Sequence, residues 1–275
     1  MHPHPGPAQS QARRILSALY PTFHYWVQTE VHVFAFSIAA NVLLSFFPFL
    51  IVSISLSRVF FDQATTLATI KVALQDYFPD TLGDFVANNL PGRRPVALLS
   101  MVLLVFTSNG IFEPLEVALN KVWGIPKNRS FLRNQLVSLG LMFVCGTLAL
   151  LSLGLPAMYR ESNNGAVQRF IVEISFKVGV VPLTSLIMLL VYRFLPNGRP
   201  PWRRLIPAAI GVGVLLEALK TLSILLWPWI EERIAREYGV FQHSVTLIFL
   251  SFMTSMLVLA GAEWAARGHK LDEEK

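Results

Sequence analysis

Six stretches of roughly twenty residues, about 34–57, 96–119, 134–155, 171–195, 205–229 and 240–264, are apolar almost throughout. Wound as an α-helix at about 1.5 Å per residue, a run of that length crosses the ~30 Å hydrocarbon core of a bilayer. In hydrocarbon every backbone N–H and C=O must find its partner within the segment, which a helix provides. The pattern therefore predicts an all-α fold, a polytopic membrane bundle of six transmembrane helices. Only 15% of the residues are charged, against about 25% in soluble domains, and six spans leave no length for a soluble catalytic domain. Cys145, the single cysteine, lies inside the third run, which excludes an internal disulfide and a cysteine metal cluster.

The segments between the runs set the topology. Residues 1–12 are polar and proline-rich and are expected to be disordered. Residues 13–32 read as an interfacial amphipathic helix, with Ile15, Leu16, Leu19, Tyr20, Phe23 and Trp26 on its apolar side. The membrane domain covers 33–265, and a short solvated tail occupies 266–275. The first apolar run starts near Val33, too far from the N-terminus for the core of a cleavable signal peptide, so it is expected to stay as a span. The longest connection, 58–95, reads as two amphipathic helices broken at Phe78-Pro79, and Asp62, Asp76, Asp80 and Asp84 set it apart from the other loops.

Two short turns have the opposite character. Residues 121–133 carry Lys121, Lys127, Arg129 and Arg133, and residues 193–204 carry Arg193, Arg199, Arg203 and Arg204, with no acid in either. Cationic short loops stay on the cytoplasmic side. With the N-terminus inside, thirteen Lys and Arg fall on that side and eight on the other, so both termini are expected in the cytoplasm. Topology thus accounts for the net charge of +6 without a nucleic-acid partner.

The candidate site lies where polar groups interrupt the runs. Asn109, Glu113, Glu116 and Asn120 are spaced by four, three and four, which confines them to an arc of about 60° on one face of a helix. A carboxylate at bilayer depth costs on the order of 2.5–3.5 kcal/mol and normally has a partner or a wet cavity. The stripe is either the solvated end of the second span or the lining of a passage. Asn41, between Ser37 and Ser45 on span one, and the Glu217 and Lys220 pair on span five are the other deep polar groups. Glu217 and Lys220 at i, i+3 suit a structural pair that neutralises itself at least as well as a place on such a passage. Ala209 and Gly213 share their face and permit close helix packing. Pro48 and Pro114 are expected to bend their helices.

Several stretches taken together, LLSFFPFLIVSISL, LQDYFPDTL, NGIFEPLEVALNKVWGIPKNRSFLRNQ, RFLPNGRPPWRRLIPAAIGVGVLLEALK and YGVFQHSVTLIFLSFMTSMLVLAGAEW, resemble the YihY/virulence factor BrkB family of bacterial inner-membrane proteins. The resemblance covers about 35–265; its more distinctive pieces are the LPN…W turn and Gly261-Ala262-Glu263. It implies six spans and an inner-membrane location. Members were formerly labelled ribonuclease BN, and others were linked to serum resistance or to transport of lipids or small solutes. The resemblance supplies no catalytic residue.

Metal-dependent hydrolysis of RNA needs clustered ligands. His2, His4, His24, His32, His243 and His269 form no such cluster, and the aspartates lie in the 58–95 connection or the tail. No enzyme activity, cofactor or metal is therefore expected. The expected function is movement of a lipid or small polar solute, through the candidate polar pathway Asn41, Asn109, Glu113, Glu116, Asn120, Glu217 and Lys220. Arg129, Arg133, Arg203 and Arg204 would attract anionic lipid headgroups. The alternative is a non-transporting scaffold in cell-envelope assembly. Membrane lipids are the expected partners, and glycine-bearing faces permit a homo-oligomer.

Overall fold

The computed structural model describes residues 20–57, 102, 110–126, 129–162 and 166–273. Asn109, Lys127, residues 1–19, the 58–95 connection and the side chains of Glu173 and Lys177 lie outside the described residues. Among those described, the fold is all-helical and contains no strand.

Helix α1 (20–26) ends at a break over Val27 and Gln28, and α2 (Thr29–Ser57) follows. The amphipathic N-terminal segment and the first span are therefore two helices, and α2 starts a turn earlier than the apolar run. It continues unbroken through Pro48. Helix α3 (110–122) ends at Gly124, whose φ of 68° lies in the left-handed region that favours glycine. Helices α4 (Phe131–Ser162), α5 (Ala166–Phe194), α6 (Trp202–Tyr238) and α7 (Gln242–Glu273) follow among the described residues.

Helix α6 outruns its apolar stretch. The segment EERIAREY, expected to be a connection, is its last two turns, and Glu232 and Arg236 pair along it at 2.7 Å. Charge keeps those residues out of lipid but does not stop a helix of good formers from propagating. The link to α7 is the three-residue 3-10 turn Gly239–Phe241. Helix α7 likewise runs on to Glu273, through most of the expected tail.

Helix α7 packs between α2 and α6, α6 packs on α5, and α5 on α4. Phe49 of α2 lies against Gly146 of α4. Small residues make these approaches close: a Cβ on Gly213 of α6 would stand 3.0 Å from the backbone nitrogen of Ser185 in α5. Gly261 of α7 lies under Val212 and the Tyr192 hydroxyl, which donates to the Val258 carbonyl at 2.6 Å. The buried centre gathers Val31, Ala35, Leu119, Tyr192, Leu205 and Leu259. Outward, Ile206, Ile210, Val214, Leu222 and Leu225 of α6 are exposed.

A soluble protein does not leave such apolar faces open. Alanines and serines buried where helices meet, such as Ala35, Ala209, Ala262 and Ser185, with branched aliphatics outside, are the arrangement of a helix bundle in lipid. Three helical segments among the described residues are long and apolar enough to cross a membrane: Thr29–Phe46, Trp202–Leu226 and Gln242–Gly268. Leu132–Leu148 and Val180–Phe194 are shorter apolar helical stretches. The Arg204 side chain lies over Gly268, so the start of α6 and the end of α7 meet at one end of the bundle. That end also holds the Lys121 to Arg133 and Arg193 to Arg204 turns and is called the basic end below.

Candidate functional site

The two basic turns are fastened together by α3. Glu116 and Asn120, one helical turn apart, are each only 2% exposed. Glu116 Oε1 accepts from Asn120 Nδ2 at 3.4 Å and from the backbone N–H of Arg129 at 3.1 Å. Asn120 Oδ1 accepts from the backbone N–H of Asn197 at 2.8 Å. The Arg129 guanidinium donates to the carbonyls of Phe194, Leu195 and Pro196 at 2.7, 2.7 and 2.9 Å. Those carbonyls belong to the end of α5 and the turn beyond it, where no helical N–H follows to pair them, and a cation there also meets the negative end of the helix dipole. Burial lowers the Arg129 pKa from its ordinary value; the Glu116 carboxylate opposes that shift and Arg133 adds to it. Arg193 secures the same turn, donating to the Pro200 carbonyl at 2.8 Å and stacking 4.8 Å over the Trp202 ring.

A second polar group lies deep between α5, α6 and α7. Glu217 Oε1 accepts from the Thr184 hydroxyl at 2.8 Å, and Lys220 Nζ stands 4.0 Å from Glu217 Oε2. The two charged side chains are 20% and 15% exposed. They border a cavity of about 170 Å³ with the hydroxyls of Thr184, Ser223 and Thr254 and with Leu216, Leu219 and Leu250. Glu217 comes fifteen residues after Trp202 in the 37-residue α6, about 22 Å along the axis from the basic end. This cavity sits near half the length of the helix.

A third group sits at the basic end, where a cavity of about 310 Å³ opens between α1, α2, α3 and α7. Glu30 of α2 and Lys121 of α3 pair across its mouth. Between α1 and α7 the Thr22 hydroxyl donates to Glu263 Oε2 at 2.6 Å and accepts from Arg267 Nη2 at 2.8 Å. Glu263 and Arg267 pair at 3.6 Å. Tyr25 lines the same space, its phenol pushed up to about 12 by burial and then by Glu263 and Glu30.

The geometry can be set beside known proteins. A family model described as virulence factor BrkB matches residues 22–275. The chain belongs to the virulence factor BrkB family. This BrkB-family chain is similar to a UPF0761 membrane protein of Chromobacterium violaceum, 22% identical over 236 residues. That match covers 82% of this chain and 55% of the relative. It is also similar to the UPF0761 membrane protein Bxeno_A3061 of Paraburkholderia xenovorans, 23% identical over 67% of this chain and 44% of the relative. The ribonuclease-like protein YfkH of Bacillus subtilis is 26% identical over 83% of this chain and 86% of its own length. The chain spans about half the length of the two UPF0761 relatives. No solved structure matches. The protein is thus a membrane protein of the BrkB family, as its motifs imply.

The polar residues singled out in the BrkB-family sequence do not form one line. Asn41 donates from Nδ2 to the Ser37 carbonyl at 2.9 Å and lies against Gly110 of α3. Glu113 is on the exposed side of α3, while Glu116 and Asn120 hold the basic turns. Glu217 and Lys220 border the mid-height cavity. Arg133 and Arg203 are exposed, Arg204 is half-buried over Gly268, and Arg129 is engaged with main-chain carbonyls. Sequence reasoning did not pick out Thr184, Thr22 or Tyr25. A hydroxyl in an apolar span is the only signal at Thr184, and its Glu217 partner is on a different helix. Among the described residues no group of three or more His, Cys, Asp or Glu is placed to hold a metal ion.

Proposed function

We propose that this protein moves a lipid headgroup or a small polar solute across or within the bacterial inner membrane, through a passage whose central station is the Glu217, Lys220 and Thr184 cavity. In this reading the bundle has six spans and both termini are cytoplasmic, so the basic end faces the cytoplasm. The chain then acts as a carrier and not as an enzyme, and the ribonuclease-like name of YfkH is not transferred to it.

The observation that carries the proposal is the mid-height cavity itself. An acid and an amine near the middle of an apolar helix are costly there unless something polar uses them. They border open space that three hydroxyl side chains share with Leu216, Leu219 and Leu250. Binding near the bilayer midplane, between helices that can shift against each other, is how many secondary carriers hold their cargo. Glu116, Asn120 and Arg129 take a different part in this reading: they keep the two cytoplasmic turns in register.

The test is solute flux or lipid scrambling in liposomes, comparing wild type with Glu217→Gln and Glu113→Gln. The proposal expects a drop of about tenfold or more for Glu217→Gln, equivalent to about 1.4 kcal/mol in the limiting step, and a smaller one for Glu113→Gln. Three equally inert proteins would favour the scaffold in envelope assembly.

A further inference from the structure

The cavity at the basic end has a charge pattern that the mid-height passage does not explain. Its rim carries two acids, Glu30 and Glu263, and two cations, Lys121 and Arg267. The four charges sum to zero, yet they are arranged as two separate pairs, one between α2 and α3 and the other along α7. Beneath them the floor is apolar, formed by Val31, Phe34, Ala118 and Val122. Exposed Trp264 and Trp202 stand at the same end of α7 and α6. Partly exposed tryptophans mark the level where headgroups meet acyl chains.

From this arrangement we infer a binding site for a zwitterionic phosphate ester, a phosphate carrying a nearby ammonium, with the ester's hydrocarbon end on the apolar floor. The phosphate is held by Lys121 and Arg267, and the ammonium by Glu30 and Glu263. A ligand with one charge of each sign meets complementary groups on the rim and leaves the cavity neutral. A purely anionic headgroup would take Lys121 and Arg267 from Glu30 and Glu263 and leave both carboxylates without a cation. Entry is through the Glu30 and Lys121 pair, whose side chains are 63% and 59% exposed. Such exposed pairs are weakly held and exchange partners readily. The Glu263 and Arg267 pair is only 15% and 23% exposed and is fixed by Thr22, so that wall is the preformed half of the site. A volume of about 310 Å³ is of the size that takes a small ligand.

The inference extends the proposed function by naming a cargo class, but it is tested by binding alone, so an inert flux assay leaves it standing. The full-length protein in nanodiscs of mixed phosphatidylethanolamine and phosphatidylglycerol is extracted mildly, and the retained lipid is counted by native mass spectrometry. The expected result is enrichment of phosphatidylethanolamine over phosphatidylglycerol by about tenfold. Lys121→Gln and Glu263→Gln should each abolish that preference, and Glu232→Gln at the far end of α6 should preserve it. Lys121 is exposed, so its variant keeps the fold, and an unchanged melting temperature confirms this. A second arm adds soluble phosphoethanolamine. Displacement at millimolar concentration with no lipid enrichment would assign the site to the free ester. Equal retention of both lipids without displacement, preference for phosphatidylglycerol, or variants that behave as wild type would overturn the inference.

Discussion

Glu116 shows how one side chain can decide a local structure. Its carboxylate is buried, accepts two hydrogen bonds and sits beside the Arg129 guanidinium. Glu116→Ala removes the acceptor while leaving the Arg129 N–H and the Asn120 amide in place, so a loss of about 2–3 kcal/mol is expected. The measurement is thermal unfolding in detergent, where a wild-type melting temperature would contradict the account. Arg129→Lys should recover only part of the wild-type stability, because one ammonium cannot reproduce the planar fork that reaches three carbonyls. Tyr25 adds a pH dependence. Its folded pKa is raised from 10.0 to about 12, so its contribution is complete below pH 10 and is lost as pH rises toward 12. The difference in melting temperature between wild type and Tyr25→Phe should therefore be flat from pH 7 to 9 and change between 10 and 12. Periodicity placed Glu116 and Asn120 on one helix face in advance. It did not show their partners, because Arg129 and Asn197 are loop residues whose docking depends on the fold.

Among the elements, α6 is the most informative. Its Ala209, Gly213 and Glu217 face was readable as a packed surface from small residues spaced by four, and Ala209 is 1% exposed in the bundle. Gly213→Val puts a branched side chain against the Ser185 main chain and should cost about 1–3 kcal/mol. The same substitution at Gly211, where nothing lies within 4 Å of the added Cβ, should have far less effect. Comparing the two melting temperatures checks the packing directly. The end of α6 was harder to read. Hydropathy marks where a helix leaves lipid, whereas EERIAREY stays helical on propensity and its i, i+4 pair. The same reason carries α7 past its apolar run to Glu273.

For the whole molecule, membership of the BrkB family was legible from several motifs together, and the all-helical architecture from six apolar runs. Among the described residues, three of those runs contain helices long and apolar enough to cross a membrane. What pattern alone could not supply is depth and facing: Glu113 and Glu116 belong to one stripe, yet one is exposed and the other buried. A passage of this kind requires water to reach the Glu217 cavity between α5, α6 and α7. Cysteine labelling reads this out in the full-length protein with Cys145 replaced by Ser and one new cysteine at Thr254, on the cavity wall, or at Leu225, exposed on the outer face of α6. A membrane-impermeant hydrophilic thiol reagent applied to proteoliposomes should modify Thr254→Cys and spare Leu225→Cys. Modification of Leu225→Cys alone, or of neither, would mean that the interior is dry and that no passage runs through it.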